Sequence, residues 1–234
     1  MKKLGVIGGL GPQAGVYFLQ LVTELTDAGK DQDHIEILFH SCPQIPDRTA
    51  FILGESNEDP APGMAEAGRG LALAGADIIA IPCVTANYFY DRLQAEIPVP
   101  VIDTIEETAK YLTARRIKRA GIMATDGTIH AGLFQKHLEK AGIECIVPDE
   151  AHQKSVMHII YDNVKAGKAP EKEHFVRVRD ALLGAGAELI LLGCTELSML
   201  AHAGFTGPEC LDVMRLLAAV SVRECGKLKS DWDL

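Results

Sequence analysis

Short apolar runs rich in β-branched residues alternate along the chain with longer stretches in which apolar residues recur at helical spacing. This alternation is typical of a parallel sheet whose strands are joined by crossover helices, so the pattern predicts an α/β fold. Strands are expected near residues 3–7, 35–40, 78–81, 99–102, 119–124, 143–147 and 188–192. Helices are expected near residues 12–28, 63–75, 86–96, 104–114, 128–141, 150–167, 172–184, 195–202 and 212–226.

The pattern repeats itself about half the chain length apart. "AGADIIAIPC" at 74–83 and "AGAELILLGC" at 185–194 each end an apolar strand with a cysteine, and "LGVIGG" near the N-terminus is echoed by "AGIMAT". The repeat predicts two pseudo-symmetric α/β domains with mainly parallel sheets. We predict a first domain formed by residues 1–103 and 208–234 and a second formed by residues 104–207.

Composition narrows the class of protein. The chain has 234 residues, 47 % hydrophobic and 24 % charged, which is ordinary for a globular protein, and its formal net charge of −9 argues against a nucleic-acid partner. Glycines interrupt the apolar run of "MKKLGVIGGLGP", so we expect neither a signal peptide nor a membrane span. Six cysteines without an export signal or metal-ligand spacing indicate a reducing cytoplasm and no metal.

The two repeated cysteines are the first candidates for chemistry. Cys83 and Cys194 each stand at the carboxyl end of a predicted strand, where open α/β sheets bind ligands. Each precedes a predicted helix N-terminus, whose positive dipole end stabilises a thiolate. A lone cysteine there would most simply be a small buried apolar residue, but the matched pair favours a functional role.

The glycine loop "GGLGPQA" lies between a predicted strand and a predicted helix and fits a G-x-G-x-x-A fingerprint. A dinucleotide site also needs an acidic residue at the end of the second strand, where "HIEILFHSCPQ" places His40 and Ser41 instead. A tight turn whose backbone amides face a small anion is the alternative interpretation.

Two further segments could bind an anionic ligand. Arg48 in "PQIPDRT" follows the second strand, and a guanidinium is well shaped for a carboxylate. Thr125 and Thr128 in "MATDGTI" lie at another helix start. Lys165 in "YDNVKAGK" reads, from the sequence alone, as a solvated cap at a helix C-terminus.

Taken together, "IGGLGPQA", "CPQIPDRTA", "IPCVTANYFYD", "MATDGTI" and "LLGCTEL" resemble the aspartate/glutamate racemase family, and most closely its cofactor-independent aspartate racemases. The resemblance runs from about residue 3 to about residue 225. It implies two pseudo-symmetric α/β domains, an active site in the cleft between them, no cofactor, a small acidic amino acid as substrate, and a homodimer.

The resemblance also implies roles for individual residues. Cys83 and Cys194 would be the two catalytic acid/base groups, and Arg48 with Lys165 would hold the side-chain carboxylate of the substrate. Further substrate contacts are implied for Val84, Thr85, Ala86, Thr125, Thr128 and Thr195. Where the family usually reads Cys-Asn-Thr-Ala-His, this chain has Val84 and Asn87, which leaves the identity of the substrate open.

Four functions therefore remain: an amino-acid racemase acting on aspartate or a similar acid, another cysteine-pair reaction of the maleate isomerase or hydantoin racemase type, a pyridoxal-phosphate racemase, and a non-catalytic protein that binds a small acid. Arg48 with Lys165 favours the first, and Val84 is the feature that favours the last.

Overall fold

The computed structural model describes residues 1–230 and residue 232, and it contains two separate parallel sheets. The first sheet has the order β2-β1-β3, with the strands Leu4–Gly8 (β1), Ile37–Ser41 (β2) and Ile78–Ala80 (β3). The second has the order β5-β4-β6-β7, with Arg119–Met123 (β4), Glu144–Ile146 (β5), Leu189–Leu192 (β6) and Cys210–Asp212 (β7). Every described strand pair is parallel.

The two sheets repeat one arrangement, as the sequence predicts. In each, the first strand in the chain lies in the centre, the second lies on one side, and the third on the other. β1 therefore corresponds to β4, and β3 corresponds to β6. The predicted α/β fold of two related units with parallel sheets is confirmed.

The crossover segments are helical. The α-helices are Pro12–Leu25 (α1), Arg48–Ile52 (α2), Ala61–Leu73 (α3), Tyr90–Glu96 (α4), Thr104–Ala114 (α5), Asp126–His130 (α6), Leu133–Lys140 (α7), Glu150–Met157 (α8), Lys172–Gly184 (α9), Thr195–His202 (α10) and Val213–Cys225 (α11). A 3-10 helix covers Val84–Phe89, and a π-helix covers His158–Lys165. Aspartate side chains cap several helix starts, such as Asp103 before α5 and Asp149 before α8.

The structure differs from the sequence prediction at several elements. The segment near 99–102 makes a single bridge, Ile79 to Val101, because Pro98 and Pro100 have no N–H to donate to a ladder. The predicted helix 128–141 divides at Gly132, which has a φ of 62°. The predicted helix 150–167 widens into a π-helix at His158.

The return of the chain to the first unit occurs later than predicted. The proposed domain boundary assigned residues 208–212 to the first domain, but β7 pairs with β6 in the second sheet. The helix that follows, α11, then packs on α1 and α5. One apolar core joins the units, because Val6, Ile122 and Leu217 belong to the same buried cluster.

None of the helices described for this chain is long and apolar enough to cross a membrane.

Candidate active site

The two repeated cysteines lie at equivalent sheet edges and line one cavity. Cys83 follows β3 and precedes the 3-10 helix, while Cys194 follows β6 and precedes α10. Both residues have extended backbone and are buried, with 8 % and 7 % of their surface exposed. The pseudo-symmetry of the fold therefore brings two thiols to the same space.

This cavity is small. Its volume is about 10 Å³, which is room for roughly one water molecule. The lining residues are Leu10, Asp47, Arg48, Thr49, Cys83, Val84, Thr85, Thr125, Lys165, Cys194, Thr195 and Glu196. An outer cleft of about 530 Å³, which includes the glycine loop, shares Leu10, Asp47, Arg48, Lys165, Thr195 and Glu196 with this inner cavity. Ligands of amino-acid size would enter from the outer cleft, and the inner cavity would have to widen to admit them.

The glycine loop reaches the cavity because its backbone bends tightly. Gly9 has a φ of 86°, and a Cβ there would lie 2.4 Å from the backbone nitrogen of Cys42, so the position accepts no side chain. The next residue, Leu10, lines both the inner cavity and the outer cleft.

Arg48 is a buried cation with one free edge. Its Nη1 donates to the carbonyl oxygens of Ile45 (3.3 Å) and Pro46 (2.9 Å), and its Nη2 donates to the carbonyl of Leu10 (2.9 Å). Its Nε is buried with no hydrogen-bond partner. Burial opposes the charge, but the neighbouring Cys83 and Asp47 raise the pKa of Arg48. The free edge is suited to an anion beside Cys83.

Lys165 ends the π-helix and is the second cation of the cavity. Its Nζ lies 3.6 Å from Oδ2 of Asp47 and 4.1 Å from the ring centroid of Tyr161. Burial opposes the charge, yet the surrounding acidic groups, with Glu196 the strongest, raise the pKa of Lys165. Burial works against the charge of Asp47, but the Ala50 amide and the Lys165 charge lower its pKa.

Cys194 is held by a carboxylate that the sequence analysis did not single out. Its Sγ lies 2.8 Å from Oε2 of Glu196, which also accepts a hydrogen bond from Thr195 Oγ1 at 3.0 Å. Burial first, and then the charge and hydrogen bond of Glu196, raise the pKa of Cys194 well above its ordinary value, and Lys165 acts in the opposite direction. In this arrangement Cys194 is a protonated thiol that donates to a carboxylate.

Three buried threonines join the two units at the floor of the site. The hydroxyl of Thr85 lies 3.2 Å from that of Thr125 and 3.1 Å from that of Thr128, and the latter two lie 3.1 Å apart. Nearby, α6 approaches α2 so closely that a Cβ at Gly127 would lie 3.0 Å from Cα of Thr49. Of the three threonines, Thr85 and Thr125 line the inner cavity, and none lines the outer cleft.

The cavity collects most of the residues singled out in the sequence. Cys83, Cys194, Arg48, Val84, Thr85, Thr125, Lys165 and Thr195 line it. Ala86 and Thr128 do not: Ala86 is buried in an apolar cluster, and the Thr128 hydroxyl lies 3.1 Å from that of Thr85.

Leu10, Asp47, Thr49 and Glu196 are the lining residues that sequence reasoning missed. The sequence could have indicated Glu196, because a carboxylate two residues after a strand-end cysteine falls in the first turn of the next helix, next to that cysteine.

Metal ligands do not gather here in the part of the chain that the structure describes. The group of described residues that could hold an ion is His158, Glu171 and His174, and none of them lines the inner cavity.

Comparison with known proteins gives the same picture over nearly the whole chain. The family model described as Asp/Glu/Hydantoin racemase matches residues 7–220. The chain is similar to a broad specificity amino-acid racemase, RacX, of Bacillus subtilis, with 26 % identity over 201 residues that cover 83 % of this chain and 86 % of the relative.

Solved structures resemble it as well. Aspartate racemase of Picrophilus torridus superimposes with a TM-score of 0.82 and 26 % identity, covering 99 % of this chain and 97 % of the other. An aspartate racemase homologue of Pyrococcus horikoshii gives a TM-score of 0.78 and 26 % identity, with 96 % and 99 % covered.

Proposed function

Because the chain belongs to the Asp/Glu/Hydantoin racemase family, we propose that it interconverts the L and D enantiomers of aspartate or a similar acidic amino acid, without a cofactor, through Cys83 and Cys194. The relatives are amino-acid racemases, so the chain is an isomerase, and the non-catalytic interpretation is set aside. The observation that carries the proposal is that two thiols from equivalent strand ends line one cavity beside a buried arginine with a free edge.

The proposed reaction uses one thiolate and one thiol. The thiolate takes the α-proton, so that the C–H bond breaks and an S–H bond forms on one face of the substrate. The opposite thiol then protonates the carbanion, so that its S–H bond breaks and a new C–H bond forms. The two sulfurs have exchanged protonation states, and the site is ready for the reverse direction.

The two thiols are not equivalent before the reaction. Cys194 is protonated and hydrogen-bonded to Glu196, and burial and that carboxylate raise its pKa. Cys83 lies beside the Arg48 guanidinium and has no carboxylate partner like that of Cys194. We therefore assign Cys83 as the base and Cys194 as the acid in the first half-reaction. Glu196 serves as a positioning residue, because its carboxylate accepts a hydrogen bond from the Cys194 thiol.

Two cations favour a dicarboxylic substrate. Arg48 Nε has no protein partner, and Lys165 Nζ pairs with Asp47 at 3.6 Å, a distance that leaves room for exchange to a substrate carboxylate. Aspartate carries one carboxylate more than its amide, so a bidentate pair with Arg48 would distinguish the two.

Val84 bears on which substrate head group the cavity accepts. The side chain is 5 % exposed and packs in the apolar core while also lining the cavity. An isomerase of the maleate or hydantoin type, which acts on a substrate without a free amino group, would fit an apolar residue there. Val84→Asn should raise the turnover of aspartate if this chain has diverged from an aspartate racemase toward another substrate. A variant that loses its best activity and gains none on aspartate would favour the other reaction.

Proton exchange in deuterated water tests the proposal directly. Starting from one enantiomer of aspartate, we expect solvent deuterium in the product early in turnover, while the remaining substrate stays largely unlabelled. Cys83→Ser and Cys194→Ser should each abolish racemisation, because a hydroxyl is a far weaker acid than a thiol. Cys210→Ser, which changes a cysteine outside the cavity, is the matched control and should keep full activity.

Two results would contradict the two-thiol mechanism. One is substantial racemisation by either serine variant, and the other is equal early deuteration of substrate and product by the unmodified protein. Glutamate, hydantoins and maleate tested in parallel decide the substrate class.

A homodimer is also proposed, on the strength of the family resemblance. Sedimentation velocity on the full chain would test it, and a single monomeric species at micromolar concentration would contradict it.

A further inference from the structure

A second cluster of chemically capable side chains lies at the surface, between the start of the π-helix and the start of α9. Nε2 of His158 lies 3.2 Å from Oε1 of Glu171, and Nε2 of His174 lies 3.6 Å from Oε2 of the same carboxylate. The ligand atoms of the three residues all lie within 4.8 Å of one another. The side chains of the two histidines are about one-third exposed, so an ion from solvent could reach them.

These spacings are close to those around a bound transition-metal ion. Metal–ligand bonds of about 2.1 Å in a tetrahedral site separate neighbouring ligand atoms by roughly 3.4 Å. The two histidine–glutamate distances, 3.2 and 3.6 Å, lie on either side of this value and run to the two different oxygens of the carboxylate. The imidazole ring centroids are 4.8 Å apart with an interplanar angle of 42°, so the rings face each other without stacking flat.

Outer contacts hold two of the three ligands in place. Nδ1 of His158 lies 2.9 Å from Oδ2 of Asp162, the carboxylate–imidazole arrangement that orients metal-binding histidines. Asn163 is buried, at 3 % exposed, and clasps Glu171 twice: its amide nitrogen lies 3.3 Å from the carboxylate, and its amide oxygen accepts the Glu171 backbone N–H at 3.2 Å.

Two contacts oppose metal binding. The first is the Asn163 amide nitrogen, which can only donate and lies 3.5 Å from Nε2 of His158. The second involves Arg177 and makes the cluster testable. Nη2 of Arg177 lies 3.0 Å from Nδ1 of His174, and since a guanidinium can only donate, it keeps the His174 proton on Nε2. A metal on Nε2 requires that proton to move to Nδ1. Arg177 would then have to turn away and keep its second partner, the Ser155 hydroxyl at 2.7 Å.

From this geometry we propose that His158, Glu171 and His174 bind a divalent transition-metal ion such as Zn²⁺ through two imidazole nitrogens and one carboxylate. Two imidazoles and one carboxylate, with further positions left for water, are a ligand set that suits such ions. The ion would link the start of the π-helix to the start of α9. The chain between these points carries Lys165, so metal occupancy would restrain the segment that delivers this cation to the inner cavity.

Titration of the full-length protein with Co²⁺, in a reductant that is not a thiol, tests the site. We expect one ion per chain, weak ligand-field bands, and no thiolate-to-cobalt charge transfer in the near ultraviolet. His158→Gln and His174→Gln should each weaken binding by at least about tenfold, and Asp162→Asn by roughly 10- to 100-fold. His152→Gln, which changes a histidine of α8 outside the cluster, should bind like the unmodified chain.

A variant that binds Co²⁺ more tightly gives a test that loss of folding cannot mimic. Arg177→Gln should bind Co²⁺ more tightly, because an amide oxygen can accept the Nδ1 proton that a guanidinium repels. Unchanged binding by both cluster-histidine variants, a thiolate charge-transfer band as the main signal, or no saturable binding up to about millimolar Co²⁺ would each overturn the proposal. Racemisation measured in a chelator is a separate readout, so failure here leaves the proposed reaction untouched.

Discussion

Replacing Arg48 with lysine should remove most of the preference for a dicarboxylic ligand. The carbonyl oxygens of Leu10, Ile45 and Pro46 accept from the two terminal nitrogens of the guanidinium, and Nε is buried without a protein partner. A carboxylate that met this free edge would receive a charge-assisted pair. A lysine ammonium keeps the charge but cannot present two parallel donors.

The expected size of the effect follows from the contact that is lost. A hydrogen bond to a charged group contributes about 1.5–3 kcal/mol, and each 1.4 kcal/mol changes an equilibrium constant tenfold. The dissociation constant of aspartate should therefore rise roughly 10- to 150-fold in Arg48→Lys. Asparagine has the same shape without the side-chain carboxylate, so its dissociation constant should change far less.

Calorimetric titration with aspartate and asparagine measures both constants and needs no turnover. Arg92→Lys is the matched control, because Arg92 pairs with Asp59 at the surface, at 2.7 Å, away from the cavity. Arg48 also donates hydrogen bonds to three backbone carbonyls, so each variant must also be unfolded in urea to measure any loss of stability. Equal losses for aspartate and asparagine would refute the assignment of Arg48 to the side-chain carboxylate, as would an unchanged dissociation constant for aspartate.

Three further predictions use other parts of the structure. Glu196→Gln removes a charge that raises the pKa of Cys194, so a larger fraction of Cys194 should be thiolate at pH 8. Alkylation of Cys194 by iodoacetamide, monitored by mass spectrometry, should therefore be faster than in the unmodified chain, and a slower rate would contradict this. Burial raises the pKa of Cys225 from 9.0 to about 11, so the unfolded chain loses this proton at a lower pH than the folded chain. The free energy of unfolding should therefore fall as the pH rises from 9 to 11, by roughly 2–3 kcal/mol for this thiol. Urea unfolding of Cys225→Ala should show a smaller fall over this pH range, and an unaltered slope would count against the prediction. Thr85→Val should lower the free energy of unfolding by about 1 kcal/mol, because the hydroxyls of Thr125 and Thr128 still pair with each other. Thr113→Val is the control and should lower it less, because the Thr113 hydroxyl bonds within its own helix. Equal losses in the two variants would argue against a stabilising link between the units.

The sequence by itself determined the architecture and the two thiols. Alternating strand and helix periods are local, because burial of one face recurs every two residues in a strand and every 3.6 in a helix. A doubled strand-cysteine segment then places Cys83 and Cys194 at equivalent sheet edges without any knowledge of the third dimension. The segments that departed from the prediction have local reasons, such as the two prolines beside Val101 and the left-handed glycine at position 132.

Only the tertiary structure decided which side chains meet. Arg48 begins α2 and Lys165 ends the π-helix, and they lie far apart in the chain. From the sequence alone Lys165 reads as a surface cap, whereas in the structure it lines the inner cavity. Glu196 is part of the site because it lies 2.8 Å from the sulfur of Cys194, and His158 is part of the surface cluster because it contacts Glu171, thirteen residues later in the chain. Sequence periodicity records how much of a residue is buried but not which element covers it, because packing partners are set by the closure of the whole chain on one shared core.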